Sequence, residues 1–118
     1  MNFDAICDDI ITSIPGVRFS IILDKFGHKV AGGMKDNVES MLTEDEVKMA
    51  LFHAGQRWET RKHLTHKIGH PKYSMTEYEK VKRFTFQVET HLLMVSTELS
   101  TDNSVISEIQ SLIEKYSK

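Results

Sequence analysis

The sequence predicts an α+β domain: a five-stranded, largely antiparallel sheet with three helices, in the order α-β-β-α-β-β-β-α. Three observations carry this expectation. Apolar residues recur at helical spacing in three segments, at the start, the middle and the end of the chain. Between those segments, apolar residues fall at every second position, the spacing of half-buried strands. Turn residues mark the boundaries, and no repeat, low-complexity segment or linker divides the 118 residues, so 1–118 reads as one domain.

The first helix rests on Phe3, Ile6, Cys7, Ile10 and Ile14, which share one face. Pro15-Gly16 stops it, because proline disfavours helical geometry in the residue before it. Val17, Phe19, Ile21 and Leu23 then alternate with polar neighbours, apart from Ile22. Asp24-Lys25-Phe26-Gly27 supplies a hairpin connection: Asp favours a turn's first position and Gly tolerates positive φ. The return strand reads from His28 to Met34, with Gly32 and Gly33 marking a bulge or a close backbone approach.

Thr43-Glu44-Asp45-Glu46 is a capping box that opens a long helix, predicted to run to about Ile68 and to stop at Gly69-His70-Pro71. Val47, Leu51, Ala54 and Trp58 form its main apolar stripe and are expected to face the sheet. Met49, Phe52 and Gln56 form a second stripe on roughly the opposite side. Three strands follow, at 73–78, 84–88 and 91–97, the last two joined by a tight turn at Glu89-Thr90. Asp102 or Asn103 caps the last helix, whose apolar face holds Val105, Ile106, Ile109, Leu112, Ile113 and Tyr116.

Fifteen Lys and Arg against 17 Asp and Glu leave a net charge of −2, which argues against a dedicated nucleic-acid binder. With 40% hydrophobic and 27% charged residues, the chain is neither disordered nor membrane-spanning. Cys7 is the single cysteine, so an internal disulfide and a CxxC motif are both excluded. The acidic opening residues lack a basic n-region, and no apolar run reaches the roughly 18 residues of a membrane helix. The expected location is the cytoplasm. Charge is uneven: Arg57 to Arg83 holds eight Lys and Arg against three acids, a local +5. We read this as a surface that steers protein association rather than one that holds nucleic acid.

Glu59, His63, His66 and His70 would project within about 60° of one another on a continuous helix, and His66 and His70 have the i, i+4 spacing of a zinc pair. Glu59 and His70 are nevertheless about 16 Å apart along such a helix, so the four cannot meet one ion. The favoured reading is a solvated helix end with no metal and no cofactor. Gly32-Gly33 matches no phosphate loop, and no serine sits in a GxSxG elbow. Asp8-Asp9 and Asp45-Glu46 read as helix-turn acids rather than a catalytic pair, so the chain is expected to be noncatalytic. Met34 and Met41 flank a connection that can lie over a groove, although methionine most often fills core gaps.

Ile10-x-x-x-Ile14-Pro15-Gly16-Val17, the strand ending Leu23-Asp24, the turn glycine Gly27 and Val30-Ala31-Gly32 together resemble the roadblock/dynein-light-chain domain. The likeness is specific over about residues 3–34 and is carried by element order beyond them. The basic, histidine-rich stretch from His63 to Lys80 and the long middle helix depart from the family, as in a divergent branch, an archaeal one being a candidate. The resemblance implies a homodimer that serves as a platform for a small GTPase, a motor component or a signalling assembly, with no catalytic or cofactor residues. Carried over by position, the partner-binding surface is Met49, Phe52 and Gln56 with Tyr73 to Met75 at the sheet edge. A terminal helix or loop covering the second stripe is the plain alternative. Profilin-like and PAS-like sensor domains share the element content, and they predict a ligand-sized apolar pocket between sheet and helix.

Overall fold

The computed structural model describes residues 1–117. The elements are α1 (Phe3–Ser13), β1 (Val17–Leu23), β2 (Lys29–Met34), α2 (Glu44–Lys62), α3 (Thr65–Ile68), β3 (Tyr73–Glu77), β4 (Val81–Val88), β5 (His91–Glu98) and α4 (Val105–Tyr116). The strands form one sheet in the order β2-β1-β5-β4-β3, every neighbouring pair antiparallel. Among the described residues, no helix is long and apolar enough to cross a membrane.

Strand alternation divides the sheet into two faces, and each collects its own core. Ile22, Phe84, Phe86, Val88, Leu93 and Val95 point toward α1 and α4, where they pack with Ile6, Cys7, Ile10, Val105 and Ile109. On the other face, Ile21, Leu23, Leu92 and Met94 meet Leu51, Ala54 and Trp58 of α2. The predicted main stripe of the long helix therefore faces the sheet as expected. The Trp58 indole Nε1 donates to Gln87 Oε1 at 3.2 Å, so the one polar atom of that ring is satisfied beneath the helix.

The local signals act as read. Asn2 caps α1 by accepting from the Ala5 amide. Both hydrogen bonds of the Thr43/Glu46 capping box form, at 3.2 and 2.9 Å. Asp24 Oδ1 accepts from the amides of Phe26 and His28, each at 2.9 Å, which fixes the β1–β2 turn. Gly32 is the close approach: at φ +86°, a Cβ there would lie 2.1 Å from the Ser20 carbonyl oxygen. The register shift itself sits between Ile22 and Leu23, opposite Val30.

Two expectations are corrected. The long helix ends at Lys62 rather than about Ile68, and a turn at His63–Leu64 separates it from the four-residue α3, so the helices among the described residues number four instead of three. No residue from Glu59 to Lys72 is buried, so no core contact holds the helix together across that stretch. Thr60, His63 and Thr65 are weak helix formers as well. At the start of α4, Asp102 Oδ1 accepts from the Ser104 amide just before the helix, while Ser104 occupies the cap without a side-chain bond. Asn103 instead receives the buried Lys82 ammonium at 2.9 Å, with the Thr101 carbonyl at 2.8 Å.

Candidate functional site

The second stripe of α2 is largely uncovered among the described residues. Met49 is 56% exposed, Phe52 46%, and Gln56 is exposed beside them. This apolar pair lies on the outside of a helix already packed on its inner face, so it belongs to the surface rather than to the core. The β1–β2 turn meets the backbone of Phe52 and leaves the residue about half exposed.

The sheet has two edges of different character. β2 carries the register shift and the left-handed Gly32, features that spoil an edge as a template for another strand. β3 runs in unbroken register with β4, from Tyr73 opposite Phe86 to Glu77 opposite Lys82. The Tyr78 amide donates to the Val81 carbonyl at 2.8 Å where the hairpin closes. Hydrogen-bonded pairs alternate from there, so Thr76 and Ser74 bond inward to β4 while the backbone groups of Tyr73, Met75 and Glu77 point out from the sheet. Tyr73 is 45% and Met75 38% exposed.

Their side chains stand on the α1/α4 face, as the Tyr73 ring 6.2 Å from that of Phe86 shows. The five predicted partner-binding residues are not gathered at one edge: the Phe52 backbone lies against Gly27 of the β1–β2 turn, whereas Met49 shares a groove with Tyr78 at the β3–β4 turn. Met49, Phe52 and Gln56 lie on the α2 side of the sheet, Tyr73 and Met75 on the α1/α4 side.

The histidines do not assemble. The break after Lys62 puts His63 outside α2 and His66 inside α3, so the shared helical face of Glu59, His63, His66 and His70 does not exist. All four side chains are exposed, and among the described residues no three His, Cys, Asp or Glu side chains are grouped to hold a metal ion. Glu59 pairs with Lys62 at 3.2 Å rather than with His63. Cys7 is buried under α1, and burial pushes its thiol up to about 11 against the opposing Ser20 hydroxyl, which leaves it protonated and unreactive.

Periodicity does not reveal one feature. Between α2, the 35–43 connection and the sheet lies a cavity of about 780 Å³. Phe19, Ile21 and Met94 form its floor, and Leu42, Val47 and Leu51 its roof. Met34 and Met41 both line it, so the connection they flank does lie over a groove. Phe52 stands at the mouth near Phe26, which gives the outer stripe of α2 one residue shared with the cavity. Arg83 of β4 reaches in with its guanidinium 5.9 Å from the Phe19 ring and 5.6 Å from that of Tyr78. The signal in the sequence was the alternation Arg83-Thr85-Gln87, polar residues on a sheet face that α2 covers.

A five-stranded antiparallel sheet with α1 and α4 on one face and α2 on the other is the fold of the roadblock/LC7 domain, as comparison with solved structures shows. A roadblock/LC7 domain from Streptomyces avermitilis superposes with a TM-score of 0.76 at 12% identity, covering 99% of this chain and 96% of that one. Myxococcus xanthus MglB gives a TM-score of 0.76 at 12% identity, covering 98% and 92%. Schizosaccharomyces pombe profilin follows with a TM-score of 0.66 at 8% identity, covering 98% and 95%. By sequence, the chain belongs to a family of unknown function (DUF6659), whose model matches residues 1–118. No curated protein matches it.

Proposed function

We propose that this protein is a noncatalytic, cytoplasmic adaptor that pairs with itself along β3 and presents the resulting dimer to a protein partner, a small GTPase of a signalling assembly. The observation that carries this reading is the asymmetry of the sheet edges: β2 is interrupted, whereas β3 is regular and open, with Met49 of the outer α2 stripe lining a groove beside the β3–β4 turn. A closed dimer with a twofold axis at Met75 sets Met75 against its own copy and Tyr73 against the partner's Glu77. That register uses the outward N–H and C=O groups of all three residues and places no like charges opposite one another. The small GTPase is the partner class implied by the roadblock resemblance. A cytoplasmic setting fits the single, buried Cys7.

Light scattering over a range of concentrations tests the pairing. The parent protein is expected at twice 13.6 kDa, and Met75→Lys, which sets two ammonium groups at the axis, as a folded monomer. A parent that stays monomeric throughout overturns the reading. The partner is tested by passing purified small GTPases, loaded with GDP or with a GTP analogue, over immobilised parent and M75K. Retention by the dimer alone, in one nucleotide state, is the expected result, and retention of none refutes the GTPase assignment.

A further inference from the structure

We propose that the cavity between α2 and the sheet is a binding site for an amphiphile with one apolar chain and an anionic head, a free fatty acid, whose carboxylate pairs with Arg83. Volume comes first. About 780 Å³ lies within the roughly 300–1,000 Å³ of small-molecule pockets, and the walls are predominantly apolar. A space that large between a helix and the sheet it covers forfeits contacts that a chain of methylenes would restore.

Charge selects the head. Two guanidinium groups line the cavity, and Arg18 is already engaged: it donates to Glu98 at 3.1 Å and to the Glu39 carbonyl at 3.1 Å. Arg83 has no ion pair among the described residues, and its buried Nε has no hydrogen-bond partner. A buried donor left unsatisfied is costly and calls for an explanation. The flanking rings of Phe19 and Tyr78 hold the guanidinium in place without neutralising it. Lys29 and Lys48 add positive charge at the rim against Glu44 alone, so the whole opening favours an anion. A carboxylate is the planar acceptor that a guanidinium fork matches. The site goes beyond the adaptor reading and belongs to one chain, because every lining group comes from a single copy.

Calorimetric titration with decanoate, decanol and decylammonium, each below its micelle or solubility limit, separates head from chain. Decanoate is expected to bind saturably, with decanol at least tenfold weaker and decylammonium weaker still. Arg83→Met is expected to bring decanoate down to the level of decanol and to leave decanol unchanged. Ala50→Phe, which fills the cavity from α2, is expected to abolish binding of all three; it keeps the question decidable if R83M does not fold. No saturable binding of decanoate to the parent protein overturns the proposal, as does decylammonium binding equal to decanoate, or a folded R83M that binds decanoate undiminished. M75K is expected to bind decanoate like the parent, which distinguishes failure of this site from failure of the dimer.

Discussion

At the scale of single residues, Trp58 and Asp24 decide most. Trp58 is 1% exposed and is the largest side chain joining α2 to the sheet. Trp58→Ala is expected to cost about 3–5 kcal/mol in urea unfolding, through lost burial and the cavity left behind. Trp58→Phe keeps most of the packing but removes part of the ring volume and the bond to Gln87, so its cost should be smaller, about 1–3 kcal/mol. Asp24 works through charge. The His28 amide foremost, and that of Phe26, hold its carboxyl below the ordinary value of 3.8. A lowered folded pKa means its contribution is complete at neutral pH and is lost as pH falls through the folded value. Asp24→Asn, which keeps an acceptor but cannot titrate, is therefore expected to flatten the acid limb of a stability-versus-pH curve. An unchanged acid limb would show that Asp9 and Asp102, both also lowered by hydrogen bonds, carry that limb instead.

Among the elements, the contact that sets α2 against the β1–β2 turn is the most constrained. Gly27 has φ +84°, and a Cβ on it would lie 2.7 Å from the Phe52 Cα and 2.9 Å from its amide nitrogen. Nothing there is a flexible side-chain end, so either the turn or the helix must shift. Gly27→Ala is expected to destabilise by more than about 1 kcal/mol in the same unfolding assay. Gly33→Ala, with nothing near its added carbon, is the matched control. The elements also show where sequence reasoning reached and where it stopped. Caps and turns were legible because each is a bond between residues a few positions apart, as with Thr43 and Glu46 or Asp24 and His28. The end of α2 was not: the run after Trp58 mixes strong and weak helix formers, and the absence of a core contact beneath it lets the chain turn at His63. The histidine face depended on that continuity and ended with it.

On the scale of the whole molecule, the two cores are unequal. Fourteen buried residues join α1 and α4 to the sheet, against seven under α2, where the cavity replaces part of the packing. Native-state hydrogen exchange should accordingly show α2 amides opening locally, at a lower free energy than those of β1, β5 and α1. Exchange of α2 at the global free energy would mean that the helix is locked by something besides its own core, with the dimer the first candidate. A decanoate-loaded sample repeats the measurement with the cavity filled.

The sequence by itself determined the order of the five strands and the three longer helices, the two-faced sheet and the inward stripe of α2. All of these follow from spacings of two or 3.6 residues and from bonds between near neighbours. It also exposed the second stripe of Met49, Phe52 and Gln56, because a helix surface is periodic whatever it meets. Only the tertiary structure decided which sheet edge is open, on which faces Tyr73 and Met75 stand relative to α2, and that Arg83 enters a cavity. Those outcomes depend on how far one element sits from another across the fold, and that distance is set by the summed packing of residues remote in sequence rather than by any local pattern.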